Sequence, residues 1–252
     1  MSTLSLLLAF SALGAQPSDP APAVLAPAVG DDFGTISGHV MWEGERPEPK
    51  PDIVMDEKAT VGCKHDSMVK KNETLLIDEK GGVANVVLTL TVAGATPKVP
   101  AEPVVLDQKG CHFSQHVLVM PVGATLRFAN SDETNHNIHT YPKKNTAINK
   151  NVAAAGTTDQ VLDKAETFEV KCDIHPWMKC SVIVTDASQW AVSAADGSFK
   201  ITGVPAGEYE LSWWHEELGK GKTEKVKVEA GKEAMLDHKV GAEKKAGGAR
   251  RR

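Results

Sequence analysis

From residue 34 onward, apolar and polar side chains alternate in short runs that are broken by Gly, Pro, Asn and Asp. Thr35-Ile36-Ser37-Gly38-His39-Val40-Met41-Trp42 is the first such run. A two-residue period puts successive side chains on opposite faces, so the run predicts a strand. The same reading predicts strands over 83–92, 116–120, 124–129, 167–171, 180–185, 198–201, 208–213 and 225–228. No stretch keeps a helical period over three turns, although Thr157–Lys164 fits a short helix or a loop. The expected fold is all-β, of sandwich architecture.

The two ends of the chain depart from this pattern. Leu4–Ala15 is the only long apolar run, and at about a dozen residues it falls short of the roughly 20 that a membrane-spanning helix needs. Small residues close it and Gln16-Pro17-Ser18-Asp19 follow, as after a secretory leader. Residues 1–15 are therefore expected to be a signal peptide, 16–33 a Pro/Ala-rich linker, and the mature protein periplasmic or secreted, with no stable membrane anchor. Residues 241–252 carry Gly, Ala, Lys and Arg, together with Glu243, and no apolar side chain larger than Ala. They cannot supply a core and are expected to form a disordered basic tail.

Composition narrows the function further. The 252 residues carry 28 Lys and Arg against 33 Asp and Glu, a formal charge of -5. No basic footprint covers the whole surface, so nucleic acid is not an expected partner. Four cysteines in a chain of this length are too few for a disulfide scaffold.

Two segments far apart in sequence look like halves of one module. Gly34–Pro47 with Val83–Leu88 resembles the first half of a carboxypeptidase regulatory-like (transthyretin-like) β-sandwich, and Ala195–Leu211 resembles its second half. Asp196-Gly197 and Pro205-Ala206-Gly207 supply turns between alternating strands. Neither half can close a sandwich alone. The expectation is a split domain over 34–98 and 186–240 with another domain, 99–185, inserted; two incomplete small domains flanking a third are the alternative.

The insert carries the chemistry. Cys172-Asp173-Ile174-His175-Pro176-Trp177-Met178 is a Cys-x2-His-x2-Met run, and Asn135-His136-Asn137-Ile138-His139 lies some way upstream. A thiolate, imidazoles and a thioether make a soft donor set that favours copper, and His2Cys with a weak axial Met is the pattern of blue-copper electron-transfer sites. Residues 104–186 resemble the cupredoxins, of the plastocyanin and amicyanin type. The resemblance implies a Greek-key β-sandwich beside the second, transthyretin/Ig-like one, and one type 1 copper ion. It implies His136, Cys172 and His175 as equatorial ligands and Met178 as the axial ligand, with Asn137 fixing the Cys-bearing loop. It also implies that the imidazole edge of His175 reaches solvent, flanked by Pro176 and Trp177 as an apolar docking patch. The alternative for Trp177 is that it packs inward and shields the metal.

The other cysteines and histidines admit plainer readings. Cys63 and Cys111 each follow a glycine and are expected to pair as a disulfide in an oxidising compartment. A second metal site from Cys63, His65, Cys111, His112 and His116 is the less favoured alternative. Cys180 is expected as a buried free thiol, and Trp213-Trp214-His215 as sandwich packing with His215 at its edge. The function that follows is non-enzymatic: a carrier of single electrons between redox proteins such as a c-type cytochrome. A copper storage or delivery protein, or a surface scaffold with an accessory copper domain, are the other classes. Only nine histidines occur, with no set of His-x-His pairs of the kind a multicopper oxidase needs.

Overall fold

The alternation that opens the ordered chain becomes β1 (Phe33–Trp42), which turns Gly34, Ile36, Gly38 and Val40 inward. The short pair β2 (Ile53–Val54) and β3 (Val69–Lys70) follows, then β4 (Val87–Leu90). Eight strands come next: β5 (Val104–Gln108), β6 (Val117–Pro121), β7 (Thr125–Asn130), β8 (His136–Thr140), β9 (Asn149–Val152), β10 (Thr157–Val161), β11 (Glu166–Lys171) and β12 (Lys179–Thr185). The last group is β13 (Gln189–Val192), β14 (Ser198–Pro205), β15 (Gly207–His215), β16 (Gly219–Lys220), β17 (Glu224–Val228), β18 (Glu233–Met235) and β19 (His238–Val240). This computed structural model describes residues 32–63 and 67–241. The described residues contain no helix, and so none long and apolar enough to cross a membrane. The fold is all-β. The expected leader, most of the expected linker, His65 and the residues beyond Gly241 lie outside the described residues.

Early and late strands share sheets. β1 lies between β14 and β18, with β19 continuing alongside it, and β4 lies between β13 and β15. The two sheets enclose one core, to which Ile36, Val40, Leu88 and Leu90 come from the early part of the chain and Phe199, Ile201, Leu211 and Val226 from the late part. The turn at Asp196-Gly197 is held against the early half: Gly197 has φ 80°, and a Cβ there would stand 2.4 Å from the Val40 carbonyl oxygen. Strands β5 to β12 form their own pair of sheets, ordered β10-β7-β5 and β6-β12-β11-β8-β9, around a separate core of Leu106, Leu118, Phe128, Ile138, Phe168 and Val182.

Apolar and ionic contacts join the two bodies. Val87 of β4 meets Val117 of β6 and Ile183 of β12, and Trp214 covers them. Beside this patch the Glu216 carboxylate pairs with His116 and, at 2.9 Å, with Lys179. Burial alone would raise the Glu216 carboxyl, but its bonds and charges from His116 and Lys179 outweigh burial and hold it below the usual carboxylate range. Trp214 thus faces the inserted body, whereas His215 is fully buried.

Some expected elements differ. Thr157–Val161 is neither helix nor loop but a strand, β10, paired antiparallel to β7. Its sequence, Thr-Thr-Asp-Gln-Val, is exposed on one face and half-buried on the other, so it lacks the apolar alternation that would have marked it. The run 83–92 is a strand only over Val87–Leu90. Asn85 adopts φ 62°, and Val86 N–H donates to the Ser193 hydroxyl, not to a neighbouring strand. Strands β5, β8, β9 and β13 carry no clear period-two signal.

Replacing Gly197 by Ala forces a Cβ into the Val40 carbonyl and into a left-handed backbone, and strain of this kind costs about 1–3 kcal/mol. Urea unfolding of Gly197→Ala should show that loss; an unchanged midpoint would show that the turn does not hold the two halves together.

Candidate metal centre

The site begins with two adjacent strands. β11 ends at Lys171, and the loop 172–178 returns the chain into β12. Within the loop, Met178 N–H donates to the His175 carbonyl at 2.8 Å and Cys172 N–H to the Met178 carbonyl at 3.3 Å. This closure folds the loop back on itself between the two strands. β8 pairs with β11 and places His136 next to the loop. The structure thus brings His136, Cys172 and His175 together: their nearest donor atoms lie within 4.8 Å of one another, and all three residues are buried. Met178 is fully buried in the same core as Cys172.

The hydrogen bonds fix which atoms face inward. His136 Nδ1 lies 3.0 Å from His175 Nδ1, which is 3.5 Å from Cys172 Sγ. The outer nitrogen of each ring is already engaged: His136 Nε2 with the Asp132 carboxylate at 2.8 Å, and His175 Nε2 with the Ala59 carbonyl at 2.8 Å. A carbonyl can only accept, so His175 Nε2 carries the proton and its Nδ1 presents a lone pair. The carboxylate selects the same tautomer for His136. Burial holds the His175 imidazole below its usual pKa, against the raising effect of the Ala59 bond. Cys172 Sγ accepts one backbone bond, from Asn137 N–H at 3.4 Å, and Asn137 Oδ1 accepts from Asp173 N–H at 3.0 Å. Asn137 therefore ties the Cys-bearing loop to β8. Two imidazole lone pairs, a thiolate precursor and a buried thioether residue fit a soft, thiophilic metal such as copper.

Sequence reading missed Asp132. It is fully buried, and it accepts from Gly110 N–H at 2.7 Å, Cys111 N–H at 2.8 Å and His136 Nε2–H. The available signal was a carboxylate four residues before His136, two residues past the end of β7.

The expected solvent edge of His175 is overturned. The residue is 1% exposed, because the turn at 56–63 lies over its Nε2 and is linked to the insert by the Cys63–Cys111 disulfide. Trp177 is half-buried, packs on the insert core, and donates its indole N–H to the Cys111 carbonyl at 2.9 Å. Its ring is tilted on that of His175 with centroids 5.4 Å apart, so the indole packs inward beside the donor cluster, the geometry of the shielding alternative. The alternative second metal site does not assemble as proposed, since its two sulfurs are bonded to each other and His116 is paired with Glu216. Cys180 is a fully buried free thiol, and burial pushes its pKa up. His139 stays apart from the centre, on a half-exposed face with Tyr141 and Asp173.

Comparisons with known proteins cover parts of the chain. Residues 172–236 match the family model of polysaccharide lyase family 4, domain II. This is a different family from the regulatory-like sandwich that the sequence resembles, and no comparison supports that resemblance. No curated protein matches. Among solved structures, a purple cupredoxin from Nitrosopumilus maritimus is similar at 21% identity over 32% of this chain and 99% of its own, with a TM-score of 0.29. Amicyanin from Paracoccus versutus is 21% identical over 39% of this chain and 97% of its own, with a TM-score of 0.31. A copper-containing nitrite reductase from Thermus scotoductus is 23% identical over 38% of this chain but 25% of its own, with a TM-score of 0.32. Similarity at this level does not carry chemistry from those proteins to this chain.

Asp132→Asn keeps the shape but replaces an acceptor oxygen by an amide donor that faces N–H groups. Loss of such an outer partner typically lowers metal affinity about 10–100-fold. Chelator competition should show that drop in copper affinity, and wild-type affinity would remove Asp132 from the site's support. Trp177→Ala should chiefly shift the visible spectrum and potential of copper-loaded protein; an unaltered spectrum with slowed partner exchange would restore the docking role.

Proposed function

We propose that the chain holds one copper ion with His136, Cys172, His175 and Met178 and serves as a carrier of single electrons. The observation that carries this is the convergence of two Nδ1 atoms and Cys172 Sγ while both Nε2 atoms are committed elsewhere. Bound there, copper would supply a one-electron couple with a thiolate ligand. The residues around it supply the rest. Asp132 and the Ala59 carbonyl lock the two tautomers, so neither ring must flip or lose a proton from its outer nitrogen. Asn137 holds Cys172 in place, and Leu106, Phe128 and Trp177 belong to the apolar packing that keeps water out. A pre-set, dry donor cage favours a change of charge without rearrangement.

The disulfide supports a further part of the reading, that the protein works in the periplasm or outside the cell, since such bonds persist in oxidising compartments. The partner proposed is a redox protein such as a c-type cytochrome. The covered His175 edge favours a second reading, in which the metal is stored or delivered: a donor set sealed from solvent retains its ion.

Copper-loaded protein tests this. Intense thiolate-to-copper absorption, abolished in Cys172→Ser, and reversible one-electron cycling are the expected outcomes. A colourless protein that binds only Cu(I) would favour storage. Met178→Gln should retain copper and lower the potential, because the axial ligand tunes it; an unchanged potential would place Met178 outside the coordination sphere.

A further inference from the structure

His175 has a second nitrogen, and two sulfurs stand beside it. Its Nε2 is 3.9 Å from Cys63 Sγ, and the nearest donor atoms of Cys63, Cys111 and His175 all lie within 4.8 Å of one another. We infer that Cys63 and Cys111, once their disulfide is opened by an external dithiol, form a second soft-metal site, for Cu(I), on the Nε2 side of His175. This rests on the same cluster as the proposed copper centre but uses different donor atoms.

Cys111 is suited to stay in place when the bond opens. It sits at φ 56°, a conformation that costs a non-glycine residue energy, and two features hold it: its N–H is bonded to the buried Asp132 carboxylate, and its carbonyl accepts from Trp177. Neither tie involves the disulfide. Cys63 is half-buried where Cys111 is fully buried, so an incoming thiolate meets the Cys63 sulfur first. That attack breaks the Sγ–Sγ bond and releases Cys111 as a thiol. The second thiol of the reductant then displaces Cys63, so two electrons pass to the cysteines and the dithiol leaves as its own disulfide. Two thiols bind Cu(I) as thiolates, releasing two protons, which gives the soft sulfur ligation that Cu(I) favours. Nε2 can add a third donor only if the ring proton moves from Nε2, because a neutral imidazole has one lone pair. His175 would then serve one metal at a time, and the dithiolate alone suffices when its Nδ1 is in use.

The experiment is a Cu(I) titration of the metal-free, full-length protein under anaerobic conditions, against a chromophoric Cu(I) chelator. One sample keeps the disulfide, and another is reduced with a phosphine and desalted. The expected result is one additional equivalent bound after reduction. That equivalent should be absent in Cys63→Ser and in Cys111→Ser and present in Cys172→Ser. Should those variants fold poorly, wild-type protein gives the same answer: bound Cu(I) should protect Cys63 and Cys111 from alkylation, read by mass spectrometry of peptides. Equal stoichiometry before and after reduction, or free alkylation of both cysteines in the loaded protein, overturns the site. Failure of the electron-carrier reading looks different: no thiolate-to-copper colour with Cu(II), whatever the reduction-dependent count.

Discussion

The site hangs on one buried carboxylate. Asp132 accepts three N–H bonds in a region from which water is excluded. Each bond joins it to a different feature: the loop at Gly110, the left-handed Cys111, and the ring of His136. An ionised carboxylate in such a place is costly unless its lone pairs are filled, and hydrogen bonds to a charge are among the stronger ones, worth about 1.5–3 kcal/mol each. The chain segment around it is built for that purpose. Asn130 Oδ1 accepts from Asp132 N–H, while Asn130 Nδ2 donates to the carbonyls of Thr134 and Val152. The residues between β7 and β8 are thereby fixed, and His136 enters β8 with its orientation already decided.

The parts of this molecule legible in the sequence are those written in one local pattern. β1 alternates cleanly because one of its faces meets the core, and the turn at Gly197 is marked by Asp-Gly. The Cys-x2-His-x2-Met run stands out because its candidate donors fall within seven residues of one short loop. β8 was not legible as a strand because it is buried on both faces: His136 and Ile138 share one face and Asn137, on the other, is buried as well, so its residue types show no apolar alternation. β10 failed for the opposite reason, being an exposed edge with little apolar surface. The cover on His175 was invisible because it depends on a backbone carbonyl, that of Ala59, more than a hundred residues away in sequence. A carbonyl has no residue type to betray it.

The cover also shows why the flanking segment belongs with the insert. The turn at 56–63 lies in the chain between β2 and β3, ahead of the inserted body, yet its contacts are with that body: Glu133 N–H donates to the Gly62 carbonyl, and Cys63 is bonded to Cys111. The patch at Val87, Val117 and Ile183 and the Glu216 cluster add two more points of attachment. In a buried charge cluster of this kind desolvation offsets much of the attraction.

The pairing of β4 with β13 has a kinetic consequence. Leu90 lies opposite Gln189 in an antiparallel register, so these strands form a hairpin whose connecting segment is an entire body with its own core. Closing a chain loop of that length from the unfolded state carries an entropic cost that grows with the logarithm of its length, and contacts so distant in sequence slow a search. If the inserted body collapses first, its two ends already stand side by side and the long loop is effectively shortened before the outer sheets meet. The body that carries the candidate metal donors would then act as the nucleus on which the surrounding sandwich closes.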